Sequence, residues 1–185
     1  MRKINSFTFL TLNGFYKGPG DDTSWHKHGE EESKFSEQQL EAGNILLFGK
    51  TTFEMMQSFW PTPMAAELFP KVAKGMNEAE KIVISNSLKK TDWKNTKILR
   101  GDIIKQIQEL KASKGKNITI LGSGSIVSLL TNAELIDEYQ IMIDPVAITK
   151  GTAIFNNITT NLDLKLTESR VFKSSGTVLL TYKKV

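Results

Sequence analysis

Three short apolar runs, each followed by a segment with helical periodicity, constrain what this 185-residue chain can fold into. They are residues 44–48 (NILLF), 81–85 (KIVIS) and 117–121 (NITIL). Runs of this length are typical of strands that are covered on both faces. Because buried parallel strands alternate with helices in α/β proteins, the pattern predicts an α/β fold with parallel strands at the centre of its sheet.

The remaining segments predict strands at both ends of the chain and an antiparallel finish. Residues 3–12 are rich in Phe, Ile and Thr and predict the first strand, and Gly176 joins the last two predicted strands as a hairpin. Further strands are predicted at residues 97–99, 138–143, 164–172 and 177–182, and helices at residues 51–59, 63–74, 103–110 and 125–131. We therefore expect one domain over residues 1–185, with a central mixed, mostly parallel sheet flanked by helices and an antiparallel C-terminal edge.

A polar segment precedes the NILLF run. Residues 36–39 (SEQQ) match a capping box, which predicts a helix that begins at this serine and ends at Gly43. The loop before it, residues 14–32, contains His26 and His28, and we expect its surface to be solvated. A metal site built from these histidines and the following glutamates is the weaker alternative, so no metal is predicted.

Composition excludes several classes of function. The chain has no cysteine, which excludes disulfides, thiolate zinc sites and cysteine nucleophiles, so redox chemistry requires a bound cofactor. The net charge of +4 comes from basic residues spread along the chain, and we expect no nucleic-acid partner. No apolar stretch approaches the ~18 residues of a membrane span. We therefore expect a cytoplasmic protein with a small-molecule substrate and no membrane contact.

Residues 49–54 (GKTTFE) directly follow the NILLF strand. A helix that starts at the carboxyl end of a strand points backbone amides into the crevice beside the sheet, and this end attracts anions. A lysine and two hydroxyls at this place suit a phosphate group. A P-loop is rejected because Asn44 stands where its first glycine is required. A helix capped by threonine, without a ligand, is the alternative from this stretch alone.

Two further turns follow the other buried strands. Residues 122–124 (GSG) would let a pyrophosphate approach the backbone, although Val127 stands at the third glycine of the dinucleotide fingerprint. Residues 85–87 (SNS) have no acidic neighbour, which favours the 2′-phosphate of NADP over the free ribose hydroxyl of NAD. A tight turn and a plain polar loop are the respective alternatives. Because turns after parallel strands meet at one edge of a sheet, the turns together predict one dinucleotide cleft.

In the order of these motifs the chain resembles the reductase domain of the riboflavin-biosynthesis deaminase–reductases, in the stand-alone branch related to dihydrofolate reductase. The matching segments are residues 9–14 (FLTLNG), 47–54 (LFGKTTFE), 81–85, 101–102 (GD), 121–125 (LGSGS) and 135–139 (LIDEY), followed by Pro145, Gly151 and Phe155. The resemblance implies a dihydrofolate-reductase-like fold and a homodimer. It also implies an NADPH-dependent oxidoreductase, similar to 5-amino-6-ribosylaminopyrimidinone reductase, that transfers hydride to a small heterocyclic or carbonyl substrate.

The resemblance also implies where the cofactor and the substrate bind. NADPH would lie along the carboxyl ends of the central strands, with its pyrophosphate at the GSG turn. The implied cofactor contacts are Thr11, Asn13, Gly14, Gly49, Lys50, Thr51, Thr52, Ser85, Asn86, Ser87, Gly122, Ser123, Gly124, Ser125 and Ile126. Four apolar or aromatic residues are expected to line the substrate pocket, namely Phe15, Phe53, Met56 and Trp60. No catalytic residue is assigned.

Three departures from the family pattern keep an alternative open. Lys50 and Asn86 stand where the family commonly has arginine, and Asn13 stands where it has aspartate. A non-catalytic descendant that binds a nucleotide or another ligand is therefore the alternative to a reductase. The acidic residues before the NILLF strand offer little replacement for the missing aspartate as a proton-handling group. Glutamates 30–32 are expected on a solvated face, and Glu41 is the one inward candidate. We therefore expect no efficient reduction of dihydrofolate.

Overall fold

The computed structural model describes residues 1–27 and 29–185, and the prediction for His28 lies outside them. The described strands are β1 (Ile4–Thr11), β2 (Phe15–Lys17), β3 (Ile45–Gly49), β4 (Lys81–Ile84), β5 (Thr96–Leu99), β6 (Ile118–Leu121), β7 (Glu138–Asp144), β8 (Thr152–Ala153), β9 (Leu164–Phe172) and β10 (Thr177–Lys184). The described α-helices are α1 (Glu30–Glu41), α2 (Lys50–Phe59), α3 (Pro63–Leu68), α4 (Pro70–Glu78), α5 (Ile103–Ala112) and α6 (Gly124–Asn132).

Eight of these strands form one sheet in the order β5-β4-β3-β6-β1-β7-β10-β9. The six strands from β5 to β7 are mutually parallel, and β10 pairs antiparallel with both β7 and β9. The three apolar runs become β3, β4 and β6, with β3 hydrogen-bonded between the other two. The prediction of a mixed, mostly parallel sheet with an antiparallel C-terminal edge is therefore confirmed. The small pair of β2 and β8 was not predicted, because strands of three and two residues carry no readable pattern.

Side chains of β3 alternate between two cores, which explains why this strand is buried along its whole length. Leu47 packs with Ile118 and Ile120 in one core cluster, and Ile107 of α5 belongs to the same cluster. Phe48 faces the opposite side and belongs to the cluster of Phe53, Met76 and Trp93 under α2 and α4. A strand covered on both faces can be apolar throughout, which is the pattern that the sequence shows.

Two helix boundaries differ from the prediction. Helix α1 starts at Glu30 with Gly29 as its N-cap, so Ser36 lies inside the helix and the capping-box prediction is wrong. The reason is electrostatic. Three glutamates in the first turn interact favourably with the positive end of the helix dipole and stabilise an earlier start. The predicted helix at residues 63–74 is divided into α3 and α4 at Phe69, because Pro70 cannot continue the hydrogen-bond ladder of the preceding helix. Gly43, at φ +71, ends α1 as predicted.

The ammonium group of Lys81, at the start of β4, is almost fully buried. It donates to the carbonyl oxygens of Met76 at 2.9 Å, Asn77 at 3.2 Å and Ala79 at 2.7 Å, and lies 4.7 Å from the ring centroid of Trp93. These carbonyls are at the end of α4, where backbone acceptors lack partners within the helix. Lys81 therefore satisfies the carboxyl end of α4 from inside the sheet.

Within the described residues, no helix combines the length and the apolar character needed to cross a bilayer.

Candidate functional site

A cleft of about 1100 Å³ opens at the carboxyl edge of the parallel strands. Side chains of β1 and residues at the ends of β3, β4 and β6 form its floor, while α1, α2 and α4 contribute one wall and the segment between β2 and α1 contributes another. The carboxyl edge of a parallel sheet is the usual ligand-binding edge of α/β proteins.

The turns after β3 and β6 lie against each other in this cleft. The amide of Gly49 donates to Ser123 Oγ at 2.9 Å, and a Cβ atom at Gly49 would lie 3.1 Å from Ile126 Cγ1. The first turns of α2 and α6 begin at this junction, and the first amides of a helix have no partner within the helix. The predicted convergence of Gly49 and Gly122 on one cleft is confirmed. The predicted contacts that line the cleft are Gly49, Lys50, Thr51, Thr52, Gly122, Ser123, Gly124, Ser125 and Ile126.

Ser123 has a backbone conformation that is rare for a residue with a side chain. Its φ of 58° and ψ of 63° are left-handed, and the preceding Gly122 has a φ of 54°. This conformation costs about 1–2 kcal/mol for a non-glycine residue. The Ser123 hydroxyl accepts from the Gly49 amide and donates to Leu121 O at 3.2 Å, which holds the turn in place. The side chain therefore joins the two turns, and the backbone beside it faces the cleft.

Lys50 is the first residue of α2, where a positive charge faces the positive end of the helix dipole. Its Nζ lies 3.8 Å from Glu54 Oε1, one turn along the helix, and both side chains are about half exposed. An exposed pair of this kind stabilises a helix by only a few tenths of a kcal/mol. Helix stability alone thus gives little reason for a lysine here, whereas an anion in the cleft would favour it.

The predicted contacts at residues 85–87 are not part of the cleft lining. The Ser85 hydroxyl accepts from the amides of Ser87 at 3.2 Å and Leu88 at 2.9 Å, and Asn86 Oδ1 accepts from the Gly101 amide at 3.4 Å. The residue before them, Ile84, does line the cleft. These polar groups therefore stabilise the turn after β4 and do not line the cleft.

The predicted contacts at residues 11–14 form a turn of their own. Thr11 Oγ1 donates to Asn13 Oδ1 at 2.8 Å and accepts from the Phe15 amide at 3.0 Å. Asn13 Nδ2 donates to Ile148 O at 2.8 Å, and Asn13 Oδ1 accepts from the Ile148 amide at 3.3 Å. An aspartate carboxylate could not donate to Ile148 O, which explains an amide here. None of the three predicted residues, which include Gly14, belongs to the lining of the cleft.

Two of the four predicted substrate-pocket residues line the cleft. Met56 and Trp60 do, and the Trp60 indole donates to Met56 Sδ at 3.0 Å. Phe53 is fully buried against Phe48 and Trp93, so its predicted place in the pocket is wrong. The reason is helical geometry, because Phe53 lies on the face of α2 that packs on the sheet.

Phe15 is also outside the cleft lining, whereas its neighbour Tyr16 is part of it. Consecutive side chains of a strand point to opposite faces, so β2 can present only one of the two. A Cβ atom at Gly151 would lie 2.7 Å from the Phe15 side chain, and one at Gly124 would lie 2.8 Å from the Tyr16 ring. Tyr16 therefore lines the cleft where Phe15 was predicted to do so, and its ring covers the first turn of α6.

His26 is the functional candidate that the sequence analysis missed. Its ring stacks on Phe9 with centroids 3.7 Å apart, and its Nδ1 lies 2.9 Å from both carboxylate oxygens of Asp144. The two side chains are 6% and 3% exposed, and His26 lines the cleft. The expectation of a solvated loop is wrong at this residue. The neighbouring Trp25, an aromatic residue in a polar loop, was the available signal.

The carboxylates of α1 also differ from expectation. Glu41 is exposed, so the inward candidate of the sequence analysis is wrong. Glu32 is 1% exposed, but its carboxylate accepts from the Ser175 hydroxyl at the β9–β10 hairpin and does not line the cleft. The cleft-facing residues of α1 are neutral, namely Ser33, Ser36, Gln39 and Leu40. Within residues 1–27 and 29–185, no group of three His, Asp or Glu residues is arranged to hold a metal ion.

Comparison with known proteins gives the family. The family model of the RibD C-terminal domain matches residues 2–178. The chain belongs to the RibD C-terminal domain family. Among individual relatives, YyaP of Bacillus subtilis strain 168 is 26% identical to this chain over 182 residues. The match covers 98% of this chain and 94% of YyaP.

Solved structures show the same fold at lower identity. A putative riboflavin biosynthesis protein from Shewanella sp. PV-4 superimposes with a TM-score of 0.73 at 20% identity, covering 99% of both chains. Dihydrofolate reductase from Enterococcus faecalis, solved with NADP(H), gives a TM-score of 0.65 at 17% identity and covers 98% of this chain and 96% of its own. The deaminase/5-amino-6-(5-phosphoribosylamino)uracil reductase of Thermotoga maritima gives 0.69 at 13% identity, with all of this chain matching 57% of that one. The fold is therefore dihydrofolate-reductase-like, as expected from the sequence.

Proposed function

We propose that this protein is an NADPH-dependent reductase that transfers hydride to a small heterocyclic or carbonyl compound. The observation that carries the proposal is the junction of two helix N-termini in one cleft, joined by the bond from the Gly49 amide to Ser123 Oγ. Paired N-termini of this kind suit the pyrophosphate and the 2′-phosphate of NADPH. The NADP(H) complex of the E. faecalis reductase and the name of the T. maritima enzyme support the same activity.

The residues at the junction fit a dinucleotide phosphate. A side chain at Gly49 would press on Ile126, and Gly122 leaves the backbone after β6 uncovered next to Thr52, so the site has the shape of a glycine-lined cradle. Backbone amides at the start of α6 would hold the pyrophosphate, and those at the start of α2, together with the positive charge of Lys50, would hold the 2′-phosphate of the adenosine. The bound cofactor would supply the hydride. The chain would bind it, orient it over β1 and exclude water from the acceptor.

The rest of the cleft fits a planar, uncharged acceptor. Its lining is rich in aromatic and sulfur-containing side chains, namely Phe9, Trp25, Met55, Met56, Phe59, Trp60 and Phe69. Apart from His26, the charged residues in the described lining form two pairs among themselves, Lys17 with Asp21 and Lys50 with Glu54. An aromatic heterocycle or an aromatic carbonyl compound would gain stacking and burial here without leaving an unpaired charge.

Lys50→Ala is expected to weaken NADPH binding by about tenfold or more while leaving NADH binding nearly unchanged. A charge-assisted contact contributes about 1.5–3 kcal/mol, and ~1.4 kcal/mol corresponds to a factor of ten. The measurement is a fluorescence titration of each cofactor. Lys116→Ala is the matched control, because Lys116 also forms an exposed ion pair, with Glu80, but lies at the opposite edge of the sheet. Equal losses for both cofactors would contradict a place for Lys50 at the 2′-phosphate.

The same titration separates the reductase from its alternative. A reductase binds NADPH and oxidises it when a suitable acceptor is added. Saturable binding without oxidation across a panel of aromatic carbonyl and imine compounds would instead indicate a ligand-binding descendant of the fold. The absence of any NADPH binding would contradict the reductase.

We further expect a homodimer. The sheet ends at β9, a strand whose side chains are mostly exposed, including Leu166 and Val171. A long edge strand with exposed apolar residues favours pairing or cover. Light scattering at micromolar concentration should give about twice the mass of the chain, and a purely monomeric sample would contradict this expectation.

A further inference from the structure

The His26–Asp144 pair lies beside Phe9 and Trp25, in the part of the cleft that the proposed function assigns to the acceptor. In the sheet, Asp144 is the register partner of Thr11, and Phe9, on which His26 stacks, is two residues earlier on β1. The pair is therefore at the carboxyl edge of β1 and β7. Both side chains are nearly fully buried, yet His26 forms part of the cleft wall.

The contact with Asp144 determines which ring nitrogen of His26 faces the carboxylate and which is left for the cleft. An ionised carboxylate can only accept hydrogen bonds, so His26 Nδ1 must carry a proton. It donates a hydrogen bond that is shared by the two Asp144 oxygens, each 2.9 Å away. Proton exchange with other groups is then left to Nε2. The carboxylate also balances the positive charge when both nitrogens are protonated, as in other histidine–carboxylate pairs.

Among the described residues, α1 presents no carboxylic acid to the cleft. The cleft-facing side chains of α1 are neutral, and Glu32 is bonded to Ser175 behind the wall. Lys17 and Asp21 pair with each other on the loop side. Phe9, Trp25 and Asp144 contact the ring, and Asp144 brings a negative charge to it.

We propose that His26 is the proton donor to the acceptor in the reduction, and that Asp144 is the positioning residue that holds its ring. This inference rests on the proposed reductase function. Hydride from the reduced nicotinamide forms a C–H bond at the carbon of a C=O or C=N group. The electron pair of the double bond moves to the oxygen or nitrogen, which takes the proton from His26 Nε2. The products are an alcohol or amine, oxidised cofactor and neutral imidazole, which water reprotonates.

The kinetic test uses 2-naphthaldehyde as an uncharged aromatic C=O probe. We expect His26→Gln to lower kcat by at least about 100-fold, the range of general acid catalysis, with the KM of the probe and the affinity for NADPH changed by less than about threefold. Added imidazole should restore at least a tenth of the lost kcat in His26→Ala. Asp144→Asn should lower kcat by at least tenfold. Glu32→Gln is the matched control for removing a buried carboxylate, and its kcat should stay within about twofold of wild type.

A spectroscopic test reads the contact without turnover. The chain has two histidines, so His26 gives the sole histidine side-chain signal in His28→Asn. We expect 2-naphthaldehyde, added to the NADP⁺ complex of this variant, to shift the ¹⁵N resonances of the His26 ring.

Unchanged resonances, or a His26→Gln kcat equal to wild type, would overturn the role of His26 while leaving the reductase proposal intact. A wild-type protein that binds NADPH and does not reduce 2-naphthaldehyde would contradict the hydride transfer. In that case the proposed catalytic role of His26 is also contradicted, even if the ¹⁵N resonances of its ring shift.

Discussion

Gly49→Val is expected to weaken NADPH binding by at least about 100-fold, or ~2.7 kcal/mol. The backbone of Gly49 is extended, at φ −80° and ψ 163°, so valine can adopt it without strain. The added side chain would instead meet Ile126 Cγ1 at 3.1 Å and the Ser123 side chain at 3.6 Å. It would therefore separate the first turns of α2 and α6, which must converge to hold one dinucleotide. Fluorescence titration measures the loss, and Gly49→Ala should give a smaller loss of the same kind.

Overpacking at Gly49 also costs about 1–3 kcal/mol of stability, so the control must lose stability without approaching the cleft. Ile107→Ala meets this requirement, because Ile107 is fully buried on α5 and does not line the cleft. Truncating a buried isoleucine costs about 2–5 kcal/mol. Folded Ile107→Ala protein should bind NADPH like wild type. If both variants lost affinity to the same extent, the effect would come from general stability, and the junction would have no special role.

The free energy of unfolding is expected to rise between pH 8 and pH 10 because of Lys81. Burial lowers the pKa of this ammonium group from 10.5 to about 8 in the folded protein. Between these values the unfolded chain binds more protons than the folded chain, so stability increases with pH through this window. At ~1.4 kcal/mol for each pKa unit, the gain is at most about 3 kcal/mol, and the three carbonyl acceptors reduce it by favouring the charged form.

Urea unfolding at pH 7.5 and pH 10 measures this gain. In Lys81→Met the titrating group is absent, so the difference between the two pH values should be smaller than in wild type by the contribution of Lys81. Lys17 has a raised pKa in the folded protein because its side chain is bonded to Asp21, and it acts in the opposite direction, mainly above pH 10. The same pH dependence in wild type and Lys81→Met would show that the buried ammonium does not titrate in this range.

The centre of the fold was predictable because local sequence determines it. Residues 44–48, 81–85 and 117–121 are apolar enough to require cover on both faces, which is typical of parallel strands. The turns that follow parallel strands lie at one edge of the sheet, so their position was predictable too. The structure pairs these strands as neighbours and brings Gly49 to Ser123. The cradle at the junction therefore followed from the strand pattern together with the glycines.

The acceptor side was not predictable, because it depends on contacts between distant segments. His26 and Asp144 are separated by 118 positions, and nothing in the loop around His26 shows that a buried carboxylate will meet it. Phe53 and Met56 both looked suited to a pocket, and only the rotation of α2 against the sheet decides which one faces the cleft. Ser36 was misplaced for a local reason, since acids in the first turn of α1 outweighed the capping box.

The central claim is that NADPH binds where α2 and α6 begin, and amide chemical shifts during an NADPH titration test it most directly. We expect saturable shifts for the amides of Lys50, Thr51, Gly124 and Ser125, which begin the two helices, with little change for Asn95 at the amino edge of the sheet. The amides at the junction should move because phosphate oxygens would accept from them. Saturable shifts confined to other parts of the chain, or no saturable shifts at all, would contradict the claim.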